Sequence, residues 1–540
     1  MTRPDAGAAT YERWERWALL GVLFLGAATR TCQLDWGLPY ELHPDEPGYL
    51  RCALRLAEEG GTDTHLFSRS HMITSLNRLA IGLVDWTTDP PGNLPRDRLT
   101  LWFLSSPRPF YLAARGMTVA LALVTLLVLH RFGRRMGGPV AGLVAAGLVA
   151  VHPLHVEQSR LVVPDVHLLL AMSCALSLAH RYLTGGRTSS LLWSFAWVGV
   201  AAGAKYNGAS VTLAPALALL LEFPRIGGRR AIALGTAGCA LAATGFALAN
   251  PYAVLHPKLA YIGFSYQMRL AAEAHFWAAP VSALREYATV LGPDLGLVGA
   301  LGAVFAVVRP GSGSRAQHLP TIAFGAAFFC YMASRPLHYP RYILPVVPVL
   351  ALFCGLLVAR VAARSKHAHV KCATTLLLLA VLAVRGVAEY VASTTVRGRE
   401  DTRVRASVWA RSALPMGAGV ATEPRAVQIP SRSAFEAAGM DPSCREAALA
   451  EWGGRAYDVT VPWNLGERTL AEYRAMGVRY LFLADWTWDR IRSREGYARQ
   501  LANLAETLEA ARPTVTFEPR DEAGRATDGP VIRVYELPAQ

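Results

Sequence analysis

The sequence contains little charge, and it lacks the motifs that mark most soluble classes of protein. Only 17% of the 540 residues are charged, whereas 52% are hydrophobic, a balance that is typical of a membrane protein. The eight cysteines are scattered and show neither zinc-ligand spacing nor a disulfide framework. No A-x-A-type cleavage site follows the first apolar segment, so we expect that segment to stay in the membrane rather than to act as a cleaved signal.

Long apolar runs are what the sequence has in abundance. Most of them approach the ~20 residues that a membrane-spanning helix needs. The runs predict a mainly α, polytopic membrane protein with about eleven transmembrane helices. We place these spans at about 17–33, 110–130, 139–153, 164–181, 190–204, 209–222, 231–249, 290–308, 320–334, 343–362 and 373–391.

The distribution of basic residues between these runs predicts the topology. The formal net charge is +14, and no nucleic-acid motif accompanies it, so we expect no nucleic-acid partner. With the amino terminus in the cytoplasm, every strongly basic short loop falls on the inside, as the positive-inside rule requires. Those loops are 131–138, 181–189, 223–230, 309–319 and 363–372. The opposite set, which carries acids, histidines and aromatics, is 34–109, 152–164, 205–208, 250–289 and 335–342.

The last part of the chain changes character. Residues 392–540 are charged and are long enough to bury a core of their own. Residues 403–413 read as a helix, and 478–484 and 531–536 read as strands. We therefore expect a transmembrane module at 1–391 and a small extracytoplasmic α/β domain at 392–540. The Ala-, Arg- and Leu-rich usage suggests a GC-rich bacterial genome, and we expect the protein to lie in the bacterial plasma membrane.

The stretch His43-Pro44-Asp45-Glu46-Pro47 places two adjacent carboxylates just after the first span. A proline on each side restricts the backbone and disfavours a helix that runs through the pair. We expect the two acids to lie on a stiff turn at the outer surface of the membrane. The alternative is an ordinary interfacial turn that is polar because loops are polar.

Other polar residues are predicted to lie on the same side of the membrane. Asp165 follows Pro164 where a helix is expected to begin, and there an acid also favours the positive end of the helix dipole. Lys205 and Arg341 lie at span ends, where charged groups mark functional sites but also serve as snorkelling anchors. His152-x-x-His155 followed by Glu157 is a candidate metal site, with interfacial hydrogen bonding as the alternative.

These residues in combination suit group transfer from a phosphate-linked donor. A carboxylate takes the proton of an acceptor hydroxyl. Cationic side chains neutralise the departing phosphate, and arginine does so with two parallel hydrogen bonds. A divalent metal is the open alternative for this neutralising role, so the sequence leaves the question of a cofactor undecided.

The order of these motifs resembles the GT-C membrane glycosyltransferases, in the branch of the protein O-mannosyltransferases and the aminoarabinose transferases of lipid A. The resemblance covers nearly the whole chain. The motifs that carry it are Pro44-Asp45-Glu46, Pro164-Asp165, Gly203-Ala204-Lys205-Tyr206, Asn250-Pro251-Tyr252 and Arg341-Tyr342-x-x-Pro345-x-x-Pro348. One departure is the absence of the paired prolines that such proteins often carry later in the first loop, since Pro90-Pro91 stands in a different context.

The resemblance implies an inverting transfer of a sugar from a polyprenyl phosphate to a hydroxyl of a glycan, lipid or protein at the outer face. By motif position it makes Asp45 the general base, with Glu46 orienting it or the acceptor. It makes Asp165 a second essential acid near the donor or a metal. It also places Lys205 and Arg341 at the lipid phosphate, with Tyr206 and Tyr342 as hydrogen-bond partners.

Two further interpretations stay open. A transporter or flippase of lipid-linked sugars would share the polytopic architecture, but it more naturally shows ionisable groups near mid-span and two matching halves. A related transferase that moves a whole glycan would share every feature named above. Neither the sugar nor the acceptor can be read from the sequence.

Overall fold

The computed structural model describes residues 6–64, 67, 71–272, 280–309, 315–335, 339–492 and 496–538. Parts of four predicted loops, at 65–66 and 68–70, 273–279, 310–314 and 336–338, lie outside the described residues. Up to residue 397 the regular structure is helical. Its α-helices are α1 (Ala6–Thr31), α2 (Glu46–Glu59), α3 (Met72–Thr87), α4 (Leu99–Ser105), α5 (Arg108–Gly137), α6 (Pro139–Val151), α7 (Pro153–Ser159), α8 (Asp165–Gly185), α9 (Thr188–Ala204), α10 (Leu213–Ile226), α11 (Gly228–Ala249), α12 (Pro251–Leu255), α13 (Pro257–Ala272), α14 (Pro280–Leu291), α15 (Val298–Val308), α16 (Leu319–Ala333), α17 (Val346–Ala362) and α18 (Ala368–Arg397).

The predicted apolar runs all coincide with helical segments. Among the described residues, six helices are long and apolar enough to cross a membrane, or seven if the bent pair α6–α7 is one span. The six are Arg108–Gly137, Asp165–Gly185, Tyr206–Ile226, Gly228–Ala249, Val281–Val308 and Ala368–Ala413. The helices α16 and α17 are apolar but shorter. The mainly α, multi-helix fold class is confirmed, whereas the number of eleven crossings stays a prediction.

The chain divides into two compact units. The larger unit comprises 1–34, 61–77 and 114–390, and the smaller unit comprises 35–60, 78–113 and 391–540. The smaller unit thus combines the last 150 residues with two pieces of the predicted first external loop. The independent folding of 1–391 and 392–540 stays a prediction.

Small residues let the helices of the larger unit approach closely. A Cβ atom on Gly199 of α9 would lie 1.9 Å from the carbonyl oxygen of Ala242 of α11, and one on Gly245 would lie 2.2 Å from that of Ala196. Larger side chains at these two positions are therefore excluded. The resulting core is continuous from α5 to α18 and includes Phe132, Phe324 and Phe353.

The carboxyl-terminal part of the smaller unit is an α/β structure, as predicted. Its helices are α19 (Thr402–Ala413), α20 (Arg432–Ala437), α21 (Arg445–Leu449), α22 (Leu470–Ala475), α23 (Asp485–Arg492) and α24 (Ala498–Ala510). Its strands are β1 (Gly419–Thr422), β2 (Asp458–Thr460), β3 (Val478–Ala484), β4 (Arg512–Phe517) and β5 (Ile532–Glu536). The predicted helix at 403–413 and the strands at 478–484 and 531–536 are confirmed.

The five strands form one mixed sheet in the order β2-β1-β3-β5-β4. Strands β2, β1 and β3 are parallel, whereas β5 is antiparallel to both β3 and β4. Residues of the first loop, including Tyr40, Leu42 and Leu101, pack against Phe435 and Trp452 in a hydrophobic cluster of the smaller unit. The first loop and the last 150 residues therefore share one hydrophobic core.

The predicted turn at Asp45-Glu46 needs a correction. Helix α2 begins at Glu46, Pro47 lies in its first turn, and Asp45 is the N-cap residue. Proline is tolerated there because the first N–H groups of a helix have no acceptor within the helix. The two acids therefore lie at a helix start rather than on a turn that excludes a helix.

Candidate functional site

In the larger unit, the structure brings together four of the predicted site residues. The ammonium Nζ of Lys205 lies 2.9 Å from Oδ1 of Asp165. The same Nζ lies 5.0 Å from the ring centroid of Tyr342, and the guanidinium carbon of Arg341 lies 5.9 Å from that centroid. Ammonium and guanidinium groups at such distances from an aromatic ring make cation–π contacts. The result is a compact group of one carboxylate, two cations and one aromatic ring.

Local sequence explains where each member of this group lies. Asp165 is the first residue of α8 after Pro164, as the sequence predicted. Lys205 follows α9 in an extended conformation, and its carbonyl accepts a hydrogen bond from the amide of Gly208 at 2.7 Å. A Cβ atom on Gly208 would lie 2.1 Å from the carbonyl oxygen of Ala201, so the turn requires glycine.

Burial within this group is uneven. The side chain of Asp165 is 5% exposed, whereas that of Lys205 is 27% exposed. A buried carboxylate costs free energy unless a cation partners it, and Lys205 supplies that cation. The ammonium thus neutralises Asp165 on one side and remains accessible to a further anion on the other.

Tyr206, which was predicted beside Lys205 at the phosphate, has other contacts. Its hydroxyl donates to the carbonyl oxygen of Phe67 at 3.4 Å, and its ring packs edge-to-face on Phe264 with centroids 5.3 Å apart. The motif residue Asn250 has a comparable supporting role. Its Oδ1 accepts hydrogen bonds from the backbone N–H of His71 at 3.0 Å and from Nδ1 of the same imidazole at 2.7 Å.

The candidate metal ligands are not gathered into a metal site. Over the described residues, no three side chains of His, Cys, Asp or Glu lie close enough together to hold a metal ion. His155 of α7 instead accepts a hydrogen bond at Nδ1 from the guanidinium of Arg30. His152 lies at the bend between α6 and α7, and Glu157 is half-buried on α7. The hydrogen bond between the buried side chains of His155 and Arg30 is the contact that the structure shows for this motif.

Sequence reasoning missed Arg30, which is fully buried. Its guanidinium donates to the carbonyl oxygens of Ala150 at 2.8 Å and Val149 at 3.3 Å, and to the hydroxyl of Ser159 at 3.3 Å. These contacts join α1 to α6 and α7. A single arginine inside an apolar segment is the sequence signal that identifies such a residue.

The larger unit also contains an apolar cavity of about 900 Å³ between α14, α15, α16 and α17. Its wall includes Ala300, Ala326 and Val346. Val346 begins α17, one helical turn after Tyr342. Tyr342 of the cationic group and Val346 of the cavity wall are therefore only four residues apart in the chain.

In the smaller unit, Asp45 and Glu46 lie within a polar network. Glu46 is buried, and Asp45 is half-buried with its amide N–H donating to Nδ1 of His43 at 3.2 Å. The guanidinium of Arg425 donates to the carbonyl oxygen of Pro44 at 2.9 Å. Arg425 has a φ of 69°, which is uncommon for a residue other than glycine and is typical of functional turns.

Glu41 is a second residue that sequence reasoning missed. Its carboxylate pairs with Arg51 and accepts from the hydroxyl of Tyr111 at 3.1 Å. The side-chain amide of Gln428 donates to the backbone carbonyl of Glu41 at 2.8 Å. Burial raises the pKa of Glu41 above its ordinary value, and Arg51 opposes that rise. Glu41 lies four residues before Asp45, so it belongs to the same piece of chain.

Comparisons with known proteins match one segment of the chain and its fold. Residues 111–251, which include Asp165, Lys205 and Tyr206, match the family described as Dolichyl-phosphate-mannose-protein mannosyltransferase. No curated protein matches the chain in sequence. The structure of ArnT from Cupriavidus metallidurans bound to undecaprenyl phosphate is similar, with a TM-score of 0.54 and 16% identity over 99% of this chain and 100% of that chain.

An archaeal oligosaccharyltransferase, AglB from Archaeoglobus fulgidus, in complex with an inhibitory peptide and a dolichol-phosphate, is also similar. Its TM-score is 0.51, with 11% identity over 95% of this chain and 74% of that chain. The chain therefore has the GT-C fold. The resemblance to GT-C glycosyltransferases of the protein mannosyltransferase and ArnT type is confirmed at the level of fold and of the matched segment.

Proposed function

We propose that this chain is a membrane glycosyltransferase that moves a sugar from a polyprenyl-phosphate donor to a hydroxyl acceptor at the outer face of a bacterial plasma membrane. The observation that carries the proposal is the grouping of Lys205 and Arg341 around the ring of Tyr342 in the larger unit, with Lys205 also paired with Asp165. Two cations next to a wide apolar cavity suit a ligand with an anionic head and a long hydrocarbon chain.

The cationic group acts on the leaving phosphate in this proposal. As the bond between the sugar and the phosphate breaks, negative charge grows on the phosphate oxygens. Lys205 and Arg341 stabilise that charge, and they do so strongly where water is excluded. Asp165 holds the Lys205 ammonium in place through the 2.9 Å ion pair. The apolar cavity lined by α14–α17 takes the polyprenyl chain.

Asp45 acts on the acceptor. Its carboxylate takes the proton of the acceptor hydroxyl while the hydroxyl oxygen attacks the anomeric carbon on the side opposite the phosphate. The new glycosidic bond forms as the phosphate departs with its polyprenyl chain, so the configuration at the anomeric carbon is inverted. Glu46, at the start of α2, orients Asp45 or the acceptor.

The test uses the full chain in lipid nanodiscs with a panel of polyprenyl-phosphate sugars and the envelope fraction of the producing cells as acceptor. We expect wild-type protein to form a glycosylated product and Asp45→Asn to lower kcat by about 10²–10⁴-fold, the usual contribution of a general base. Asp35→Asn is the matched control, because Asp35 is an exposed acid of the same loop that pairs with Arg108. Near-normal turnover of a folded Asp45→Asn protein would refute the assignment. Accumulation of the sugar in sealed proteoliposomes without product would indicate a transporter.

A further inference from the structure

The smaller unit contains a cavity that the chemistry above does not use. Its volume is about 420 Å³, within the range of small-molecule sites. One wall is formed by the Asp45-Glu46 region, through Glu41, Pro44 and Arg51. The opposite wall comes from the carboxyl-terminal sheet and includes Thr422 and Val459.

The cavity lies at the carboxyl ends of two parallel strands of the sheet. Thr422 is the last residue of β1 and Val459 belongs to β2, and these two strands are parallel. Val461, which follows β2, also lines the cavity. Ligands of open α/β sheets bind outside the carboxyl ends of the strands.

The lining combines hydrogen-bonding groups with apolar walls. Donors and acceptors both occur, in the side chains of Glu41, Arg51, Thr422, Gln428 and Ser431. Apolar surface is supplied by Phe103, Val427, Ile429 and Val461. A ring that carries several hydroxyls and a C–H face needs this mixture, because each hydroxyl both donates and accepts hydrogen bonds.

Arg425 connects the cavity with the catalytic acid. Its guanidinium lines the cavity and donates to the carbonyl oxygen of Pro44, the residue before Asp45. Its left-handed backbone conformation costs free energy. Such a conformation persists only where the surrounding structure imposes it. A group bound in the cavity therefore lies next to Pro44, the residue that precedes Asp45 at the start of α2.

We infer that this cavity binds a saccharide portion of the acceptor and presents its hydroxyl to Asp45. The inference rests on the proposed function and adds the chemical class of the acceptor. It assigns Glu41, Arg51 and Ser431 as specificity-determining residues. It also gives the sheet of the smaller unit a role in acceptor recognition.

The test fills the cavity without touching the proposed catalytic residues. Ala434 and Ala437 are both exposed residues of α20, but only Ala434 lines the cavity. We compare Ala434→Trp with Ala437→Trp as full chains in nanodiscs. Acceptor KM is measured with the envelope fraction, and slow hydrolysis of the polyprenyl-phosphate sugar without acceptor reports on the donor site.

Ala434→Trp is expected to raise acceptor KM by about tenfold or more, the range that a misfit in a packed pocket produces, while donor hydrolysis stays at the wild-type rate. Ala437→Trp is expected to match wild type in both measurements. Ser431→Trp, which fills the cavity from a neighbouring position, is expected to repeat the effect. An unchanged acceptor KM in both filled variants overturns the inference.

Competition separates a saccharide from other acceptor groups. Oligosaccharides released from the envelope fraction by mild acid are expected to inhibit transfer by wild type and to lose that inhibition with Ala434→Trp. Inhibition by protease-released peptides alone would overturn the saccharide assignment. If wild type forms no product from any donor, the proposed function fails and the inference fails with it. If wild type is active but the filled variants behave like it, only the cavity assignment fails.

Discussion

The ammonium of Lys205 and the carboxylate of Asp165 form an ion pair of 2.9 Å at the ends of two neighbouring helices. Asp165 begins α8 and Lys205 follows α9, and the 39 residues between them are mostly apolar helix. The pair fixes one cation at the surface of an apolar bundle. The Lys205 side chain remains 27% exposed, whereas that of Asp165 is 5% exposed.

Replacing Lys205 tests the phosphate-binding role. Lys205→Met removes the ammonium and retains the length of the side chain, so we expect donor kcat/KM to fall by about 10²–10³-fold, the loss seen when one stabilising group is removed from a developing anion. Lys205→Arg is expected to keep part of the activity. A Lys205→Met/Asp165→Asn double variant relieves the unpaired carboxylate, so recovery of transfer in that variant would show that the pair is only structural.

The apolar cavity of the larger unit predicts a dependence on lipid length. Ala326→Trp fills the cavity, whereas Ala327→Trp changes the neighbouring residue, which is exposed and not part of the lining. We expect Ala326→Trp to raise KM for a long-chain polyprenyl donor by about tenfold, as expected from losing two buried methylene groups at ~0.8 kcal/mol each. A short-chain donor should be unaffected. Equal effects on long and short donors would place the lipid elsewhere.

Glu423 predicts how stability depends on pH. It is buried at the end of β1, where its carboxylate accepts from the amides of Ala484 and Leu465, and burial raises its pKa to about 7. The folded state therefore holds this proton more tightly than the unfolded chain. The free energy of unfolding should fall as pH rises from about 4.5 to about 7, by about 3 kcal/mol for this group.

Glu423→Gln is expected to flatten that pH dependence in thermal unfolding of the detergent-solubilised protein. Glu472→Gln is an informative control with the opposite sign. Glu472 accepts from Thr469 in the capping box of α22, and these hydrogen bonds lower its pKa. The contribution of Glu472 to the free energy of unfolding increases as pH rises through the acid range. The prediction would be contradicted if the free energy of unfolding of the wild type did not fall between pH 5 and pH 7. It would also be contradicted if Glu423→Gln showed the same fall.

The buried hydrogen bonds of Arg30 lead us to expect that its replacement lowers the stability of the protein. Arg30→Leu would leave the carbonyl oxygens of Ala150 and Val149 without the donor they have now. We expect a loss of about 3 kcal/mol in the free energy of unfolding, because buried acceptors are costly to leave unpaired. Arg131→Leu, at an exposed position of α5, should change stability by no more than about 0.5 kcal/mol. Thermal unfolding measures both, and equal stabilities would contradict the assignment.

Sequence patterns predicted the parts of this protein that depend on local composition. Apolar runs located the helices, β-branched and aromatic residues located the strand at 478–484, and Pro164-Asp165 located the start of α8. Their order also carried the resemblance that the fold confirms. Local patterns succeed here because each apolar segment must satisfy its own backbone hydrogen bonds in a membrane.

Long-range contacts explain what the sequence did not predict. Arg30 meets the carbonyl of Ala150, 120 residues away, and Arg425 meets that of Pro44 across 381 residues. No local pattern encodes such pairs. The prediction for Asp45-Glu46 failed for a different reason, because proline excludes a helix from its interior but not from its first turn. Glu46 thus begins α2 where a turn was expected.

The shared core of the smaller unit has a consequence for synthesis. Tyr40, Leu42 and Leu101 leave the ribosome long before Phe435 and Trp452, the residues they pack against. The segment that carries Asp45 therefore lacks its packing partners until translation is nearly complete. Truncated products that lack the final 150 residues should insert into the bilayer but leave the residues around Asp45 without their packing partners.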